Sequence, residues 1–334
     1  MKISIIGSGG WGTALAVLLT KNGHSVTLWS FEEKEYEHLK NERENRAFLP
    51  GVLFPDELVC TNDISVAKDA EIVVMAVPSF AVRATAKKLS QYISDEHIVV
   101  NVAKGIEKDT SKRLSEIIEE EIPAGCDIVV LSGPSHAEEV GRGVPTAIIA
   151  TSRSKSAAET VQNVFMNESF RVYITDDVVG VELGAALKNV MALAAGVCDG
   201  LGLGDNSKAA LMTRGLAETV RLGVALGGKE ETFAGLAGLG DLIVTCMSMH
   251  SRNRRAGILI GEGVPTDKAL EKIGAVVEGY YATQSAMQLA QRKGIEMPIT
   301  AEMHKVLFEG ADPKNALYNL MTRDKKSESG TAWK

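Results

Sequence analysis

Residues 2–13 read KISIIGSGGWGT, a short apolar run that enters Gly7, Gly9 and Gly12 at G-x-G-x-x-G spacing and continues into the helical pattern ALAVLLTKNG. A strand that turns into a helix through glycines leaves the first helical amides without partners, aimed at whatever sits above the turn. An anion suits that position, and at this spacing a dinucleotide pyrophosphate does. The spacing carries weight only inside a βαβ unit. Here the next β-rich run, HSVTLW, ends at Trp29, so the unit is present and the start of the chain reads as α/β with a parallel sheet.

The alternation continues. EIVVMAVPS, HIVVNVAKG and DIVVLSGPS are apolar throughout, as strands of a parallel sheet covered on both faces are, and TAIIA (146–150) and RVYIT (171–175) are further strand candidates. After about Asp177 helical periodicity takes over, in VVGVELGAALKNVMALAAGV, KAALMTRGLAETVRLGVAL and ATQSAMQLAQRKG. A chain of 334 residues is long for one core. The expected division is therefore a doubly wound, mostly parallel α/β domain over residues 1–180 and an all-α domain over 181–334, ending in a frayed RDKKSESGTAWK tail.

Charge and cysteine usage narrow the function. A net charge of -7 argues against a general binder of nucleic acid or anionic membrane, so any phosphate site is local. The four cysteines, Cys60, Cys126, Cys198 and Cys246, form no C-x-x-C pair, which points to a reduced, cytoplasmic chain without a disulfide framework or zinc ribbon. Met1 to Gly7 is too short for a signal peptide before the glycine turn, and none is expected. Leu183–Cys198, the most apolar helical stretch, falls short of the roughly 20 residues that span a bilayer, and no membrane insertion is expected. The six histidines show no ligand spacing, and no metal is expected.

Chemistry concentrates at strand ends and in two helical stretches. Glu32 lies about twenty residues past the glycine turn, where an acid can accept from an adenosine ribose hydroxyl or stand as a solvated loop charge. VPSF, VAKGIE and SGPSHAEE follow strands, so Lys104, Ser135 and the amides around Gly133 should face one crevice, Lys104 either contacting an anion or pointing into water. Lys188 has apolar or glycine neighbours on every face of its helix, and burial would pull its amine toward neutrality unless it snorkels at a helix seam. Asp241 in GLAGLGDLIVTC needs a cationic partner, for which Lys188 is a candidate. SRNRRAG (251–257) gathers three arginines with Ser251 and Asn253, either a phosphate clamp or a basic surface loop.

GSGGWGTALA, VPSF, NVAKGIE, SGPSHAEEV, ELGAALKN, GLGDLIVTC, SRNRR and VVEGY, in this order over nearly the whole chain, resemble the bacterial type of NAD(P)-dependent sn-glycerol-3-phosphate dehydrogenase. The resemblance implies a Rossmann domain, a helical substrate domain and a dimer that reduces dihydroxyacetone phosphate to sn-glycerol 3-phosphate for phospholipid synthesis. It makes Lys188 the catalytic proton donor and acceptor, and puts Lys104, Gly133, Ser135, Asp241, Ser251, Arg252 and Asn253 around the substrate. Gly10, Trp11, Lys104, Ala137, Arg252, Val276 and Glu278 become NAD(H) or NADP(H) contacts beside Gly7, Gly9 and Gly12. Where that family commonly has a basic residue after the second strand, this chain has Phe31 and Glu32, which favours NADH. The alternatives are a related 3-hydroxy-acid or keto-acid dehydrogenase, which leaves SRNRR without a reason, and a non-catalytic NADH sensor, which would not need Lys188.

Overall fold

The computed structural model describes residues 1–122, 125–325 and 327–328; of the tail expected to fray, residues 326 and 329–334 lie outside the described residues. Eight strands form one sheet: β1 (Lys2–Ile6), β2 (Ser25–Trp29), β3 (Val59–Thr61), β4 (Ile72–Met75), β5 (Ile98–Asn101), β6 (Asp127–Ser132), β7 (Thr146–Ser152) and β8 (Phe170–Thr175). Their order is β3-β2-β1-β4-β5-β6-β7-β8, and every pair is parallel except β6 with β7. Chain order reverses between β1 and β4, and Ile6 lies level with both Trp29 and Met75. The loops leaving β1 and β4 therefore open a crevice at the strands' carboxyl ends.

Both faces of the sheet are covered, by α1 (Gly10–Lys21), α2 (Glu33–Glu42), α3 (Val82–Leu89), α4 (Leu114–Glu121), α5 (Ala137–Gly141) and α6 (Lys155–Phe165). Ile3, Ile5 and Val74 enter one core, while Ile6, Val73 and Met75 enter another. Alternate residues feed opposite faces, which is why these strands read as unbroken apolar runs.

Beyond β8 the described chain is helical: α7 (Val178–Gly200), α8 (Asp205–Ala225), α9 (Glu230–Phe233), α10 (Asp241–Met247), α11 (Arg252–Gly261), α12 (Thr266–Ile273), α13 (Glu278–Lys293), α14 (Pro298–Phe308) and α15 (Pro313–Met321). α7 is the axis of this half. Asp177 caps it by accepting from Gly180 N at 2.8 Å, and its other oxygen takes Lys229 N at 2.8 Å. At 23 residues it is longer than the Leu183–Cys198 stretch suggested, and by length and composition it could cross a bilayer. Its apolar coat is protein instead: 89% of its most apolar window is buried inside the fold.

α7 and α11 meet backbone to backbone. Gly196 and Gly200 on one face Gly257 and Gly261 on the other, each pair one helical turn apart. A Cβ on Gly196 would stand 2.1 Å from the Arg254 carbonyl oxygen, and one on Gly257 would stand 2.1 Å from that of Leu193. Only glycine permits such an approach, and it brings the start of α11 beside the middle of α7. There Asn253 donates to Asn189 Oδ1 at 2.9 Å and accepts from Gly279 N at 2.8 Å, joining α7, α11 and α13.

Gly257→Ala should therefore cost about 1–3 kcal/mol, the range for overpacking a close-fitted contact. Urea unfolding followed by circular dichroism checks it. A loss below about 0.5 kcal/mol, the level of an indifferent surface change, would show that the two helices part freely.

Candidate active site

Lys104 follows β5 in a turn shaped by Asn101, whose side chain accepts from Ala103 N and donates to Ala103 O, both at 3.2 Å. Its ammonium donates to Gly133 O at 2.9 Å and to Asp241 Oδ2 at 2.6 Å. Asp241, the first residue of α10, is 1% exposed. Its other oxygen, Oδ1, accepts from Lys188 Nζ at 2.8 Å. Lys188 also donates to Thr245 Oγ1 at 2.6 Å, and that hydroxyl donates to Asp241 O at 2.6 Å. The expected Lys188–Asp241 pair is present, and Lys104 is a second partner that the sequence did not announce. Thr245 was also missed, although its position four residues after Asp241 puts both on one helix face.

One carboxylate shared by two ammonium groups leaves a net positive charge in a nearly dry site. Burial pulls the Lys188 amine down to about 8; Lys104 adds to that, and Asp241 opposes it. Burial alone would push the Asp241 carboxyl up, but Lys104 and Lys188 more than offset it and hold it below the ordinary carboxylate value. Ser135 turns its hydroxyl to the same Gly133 carbonyl at 2.9 Å, so Lys104, Gly133 and Ser135 do share one crevice.

The glycine turn lies between β1 and α1. Gly7 has φ +120°, and a Cβ there would lie 2.6 Å from Ala76 O. A Cβ on Gly12 would fall 2.0 Å from Gly7 O, and one on Gly10 would fall 2.6 Å from Phe48 O and 3.6 Å from the Ala137 side chain. Gly9 differs: nothing lies within 4 Å of its missing Cβ, and no side chain caps α1. The turn is closed everywhere except where a pyrophosphate would approach the helix amides, so these residues fit a dinucleotide. Trp11 packs partly buried against the sheet core.

Glu32 is exposed at the end of β2 and caps nothing. The acid that reaches the glycine turn is Glu35, one turn into α2, which accepts from Ser8 Oγ at 2.9 Å. Phe31 is exposed beneath the Lys88 ammonium, 5.0 Å from its ring centre. Across the crevice, half-buried Val276 precedes α13, whose first residue Glu278 accepts from Ser79 Oγ at 2.6 Å and Ser79 N at 3.3 Å. Burial raises the Glu278 carboxyl pKa against those bonds. Ser79, in VPSF, ties the two halves of the chain together.

The arginine cluster is split. Ser251 is buried and caps α11, accepting from Arg254 N at 3.2 Å, and Asn253 is spent on the α7–α13 joint. Arg254 turns away to Asp199 Oδ2 at 2.7 Å. Arg252 and Arg255 are exposed and form no ion pair among the described residues, so two of the three arginines are open, and Arg252 is the one at the head of α11.

Residues 2–158 match the family model described as the N-terminus of NAD-dependent glycerol-3-phosphate dehydrogenase, and residues 177–318 match its C-terminus. A glycerol-3-phosphate dehydrogenase [NAD(P)+] of Thermoanaerobacter sp. is 57% identical over 329 residues, covering 98% of this chain and 99% of the relative. One from Fusobacterium nucleatum is 54% identical, covering 98% of each chain. The crystal structure of glycerol-3-phosphate dehydrogenase from Coxiella burnetii superposes with a TM-score of 0.93 at 40% identity, covering 96% of this chain and 99% of that one.

The Lys188 shift has a signature in stability. Between about 8 and the ordinary 10.5 the unfolded chain binds a proton on this amine that the folded chain does not, so its contribution to stability rises with pH across that window. The difference in unfolding free energy between wild type and Lys188→Met should grow as pH is raised through it. A difference that stays flat would place the amine at its ordinary pKa.

Proposed function

The chain belongs to the NAD-dependent glycerol-3-phosphate dehydrogenase family, and from that premise we propose how its residues perform the chemistry. It is an NAD(P)-dependent oxidoreductase that reduces dihydroxyacetone phosphate to sn-glycerol 3-phosphate, a precursor of phospholipids. The reduced nicotinamide, when bound, supplies a hydride to the C2 carbonyl carbon.

Lys188 is the acid. Asp241 and Thr245 occupy two of its three N–H bonds, which leaves one for the carbonyl oxygen. This single arrangement carries the reading, because it aims a proton and a positive charge at the oxygen on which negative charge develops. Asp241 keeps the buried ammonium charged enough to donate near neutrality, and Lys104 keeps it acidic enough to let go. Arg252 and the amides at the head of α11 bind the phosphate, and Lys104, Gly133, Ser135, Ser251 and Asn253 shape the rest of the substrate pocket. Gly7, Gly9, Gly10, Trp11, Gly12, Ala137, Val276 and Glu278 hold the cofactor.

Residues 1–180 form the cofactor domain and 181–334 the substrate domain of a cytoplasmic homodimer, which light scattering after gel filtration checks. Two acids, Glu32 and Glu35, stand at the end of β2, where a 2′-phosphate would meet like charge. NADH should therefore serve at least as well as NADPH in paired steady-state and fluorescence-binding measurements. Strong preference for NADPH would remove both acids from the ribose site.

Lys188→Met roughly keeps volume, so the protein should fold and still bind NADH while reduction of dihydroxyacetone phosphate falls about 10²- to 10⁴-fold. Retention of a tenth of wild-type turnover would show that another group is the acid. Arg252→Lys keeps the charge but loses the fork, and should raise KM for dihydroxyacetone phosphate with turnover retained. An unchanged kcat/KM would put the phosphate elsewhere.

A further inference from the structure

Asp199 lies eleven residues beyond Lys188 on α7, three helical turns on, so the carboxylate and the ammonium leave the same face of the helix. Lys188 meets α10 on that face through Asp241, and Asp199 meets α11 through Arg254, whose Nε donates to Asp199 Oδ2 at 2.7 Å. Lys208, in the first turn of α8, pairs with the other oxygen. A carboxylate is ill placed in the last turn of a helix, where the macrodipole is negative. Burial works against its charge as well, yet Lys208 and Arg254 hold the Asp199 carboxyl below its ordinary value. Arg254 spends further bonds on the segment that joins α10 to α11. Its Nη1 donates at 2.5 Å to the carbonyl of Met247, the last residue of α10, and its amide donates to Ser251 Oγ at 3.2 Å. Met247 and Met249 are exposed, so apolar burial does little to hold this segment.

The glycine seam sets α11 against α7, but its four glycines do not touch the end of α10. The Asp199–Arg254–Met247 relay does. Since α10 also carries Asp241 and Thr245, which hold Lys188, and α11 opens with Arg252, the relay closes a ring of three helices with the acid on one side and an exposed arginine on the other. We propose that Asp199 is a positioning residue: through Arg254 it fixes the span from the Lys188 ammonium to the Arg252 guanidinium, so that the carbonyl and the phosphate of one substrate molecule are met together. The proposal rests on the reaction assigned above. A span set in advance lets phosphate binding assist transfer at the carbonyl, whereas an arginine free to wander binds the phosphate without aligning the ketone.

The test measures kcat/KM on dihydroxyacetone phosphate and on unphosphorylated dihydroxyacetone for wild type, Asp199→Ala, Asp199→Asn, Arg254→Met and the double variant Asp199→Ala/Arg254→Met. Asp199→Ala should lose roughly 10- to 100-fold on the phosphate ester, mostly through a raised KM, and only about twofold on the free ketone, which has no phosphate to be placed. Arg254→Met should lose as much, and the double variant no more than Arg254→Met alone, because the two residues act in series. Asp199→Asn keeps an oxygen for Arg254 and should fall between wild type and Asp199→Ala, and it carries the test if the alanine variant does not fold. Lys208→Met, which leaves the Asp199–Arg254 bond in place, should match wild type. Equal proportional losses on both ketones in the folded variants, additive losses in the double variant, or an Asp199→Ala enzyme with wild-type kcat/KM would overturn the proposal. A wild type that does not reduce dihydroxyacetone phosphate would overturn the assigned reaction, and this proposal would fall with it.

Discussion

One carboxylate holds two ammonium groups that come from different halves of the chain. Lys104 reaches Asp241 from the end of β5, Lys188 reaches it from the middle of α7, and the acid itself is 1% exposed. Burial of such a trio is costly, and taking away the shared acid would typically cost about 3–5 kcal/mol because uncompensated charge would stay buried. The arrangement is better understood as setting one proton affinity. Burial lowers the Lys188 amine most, Asp241 opposes it and Lys104 adds to the lowering, which leaves it at about 8. The same bonds fix where the ammonium points.

That balance depends on distances held from elsewhere. The glycine seam between α7 and α11 places Ser251–Asn253 beside Asn189, the residue next to Lys188. Toward the start of α7, buried Glu182 accepts from Ser115 N at 2.8 Å, Ser115 Oγ at 2.6 Å and Arg113 at 2.7 Å, pinning the axis to the N-terminus of α4. Glu278 with Ser79 makes a second tie between the halves, across the crevice. Two of these polar contacts, Glu182 with Ser115 and Arg113 and Glu278 with Ser79, bridge the halves, while the Asn189–Asn253 joint holds the helical half together; an ammonium displaced by about 1 Å loses its aim.

Patterns that repeat along the chain were legible, and pairings between distant residues were not. The glycine turn, the continuous strands, the helical second half and the desolvation of Lys188 follow from local periodicity. β3 escaped because three residues, VCT, with one exposed and two half-buried, have no period to detect. The start of α7 was legible, since the helical pattern begins after Asp177, whose side chain caps it. SRNRR reads as one cluster in sequence, yet helical geometry sends Arg254 to Asp199 and leaves Arg252 and Arg255 without an ion pair among the described residues. Likewise Glu32 is the acid nearest the strand end, but one turn of α2 carries Glu35, not Glu32, back over the glycine turn. Lys104 and Asp241 are 137 residues apart, and no spacing rule connects them.

The most direct measurement is the titration of the Lys188 amine itself, by NMR of protein carrying ε-labelled lysine, with Lys188→Met to assign the signal. In wild type it should titrate near 8; in Asp241→Asn it should fall further, because burial and Lys104 then act unopposed; in Lys104→Met it should rise. A Lys188 amine that titrates near 10.5 in all three proteins would contradict the claim that this shared carboxylate sets the acid.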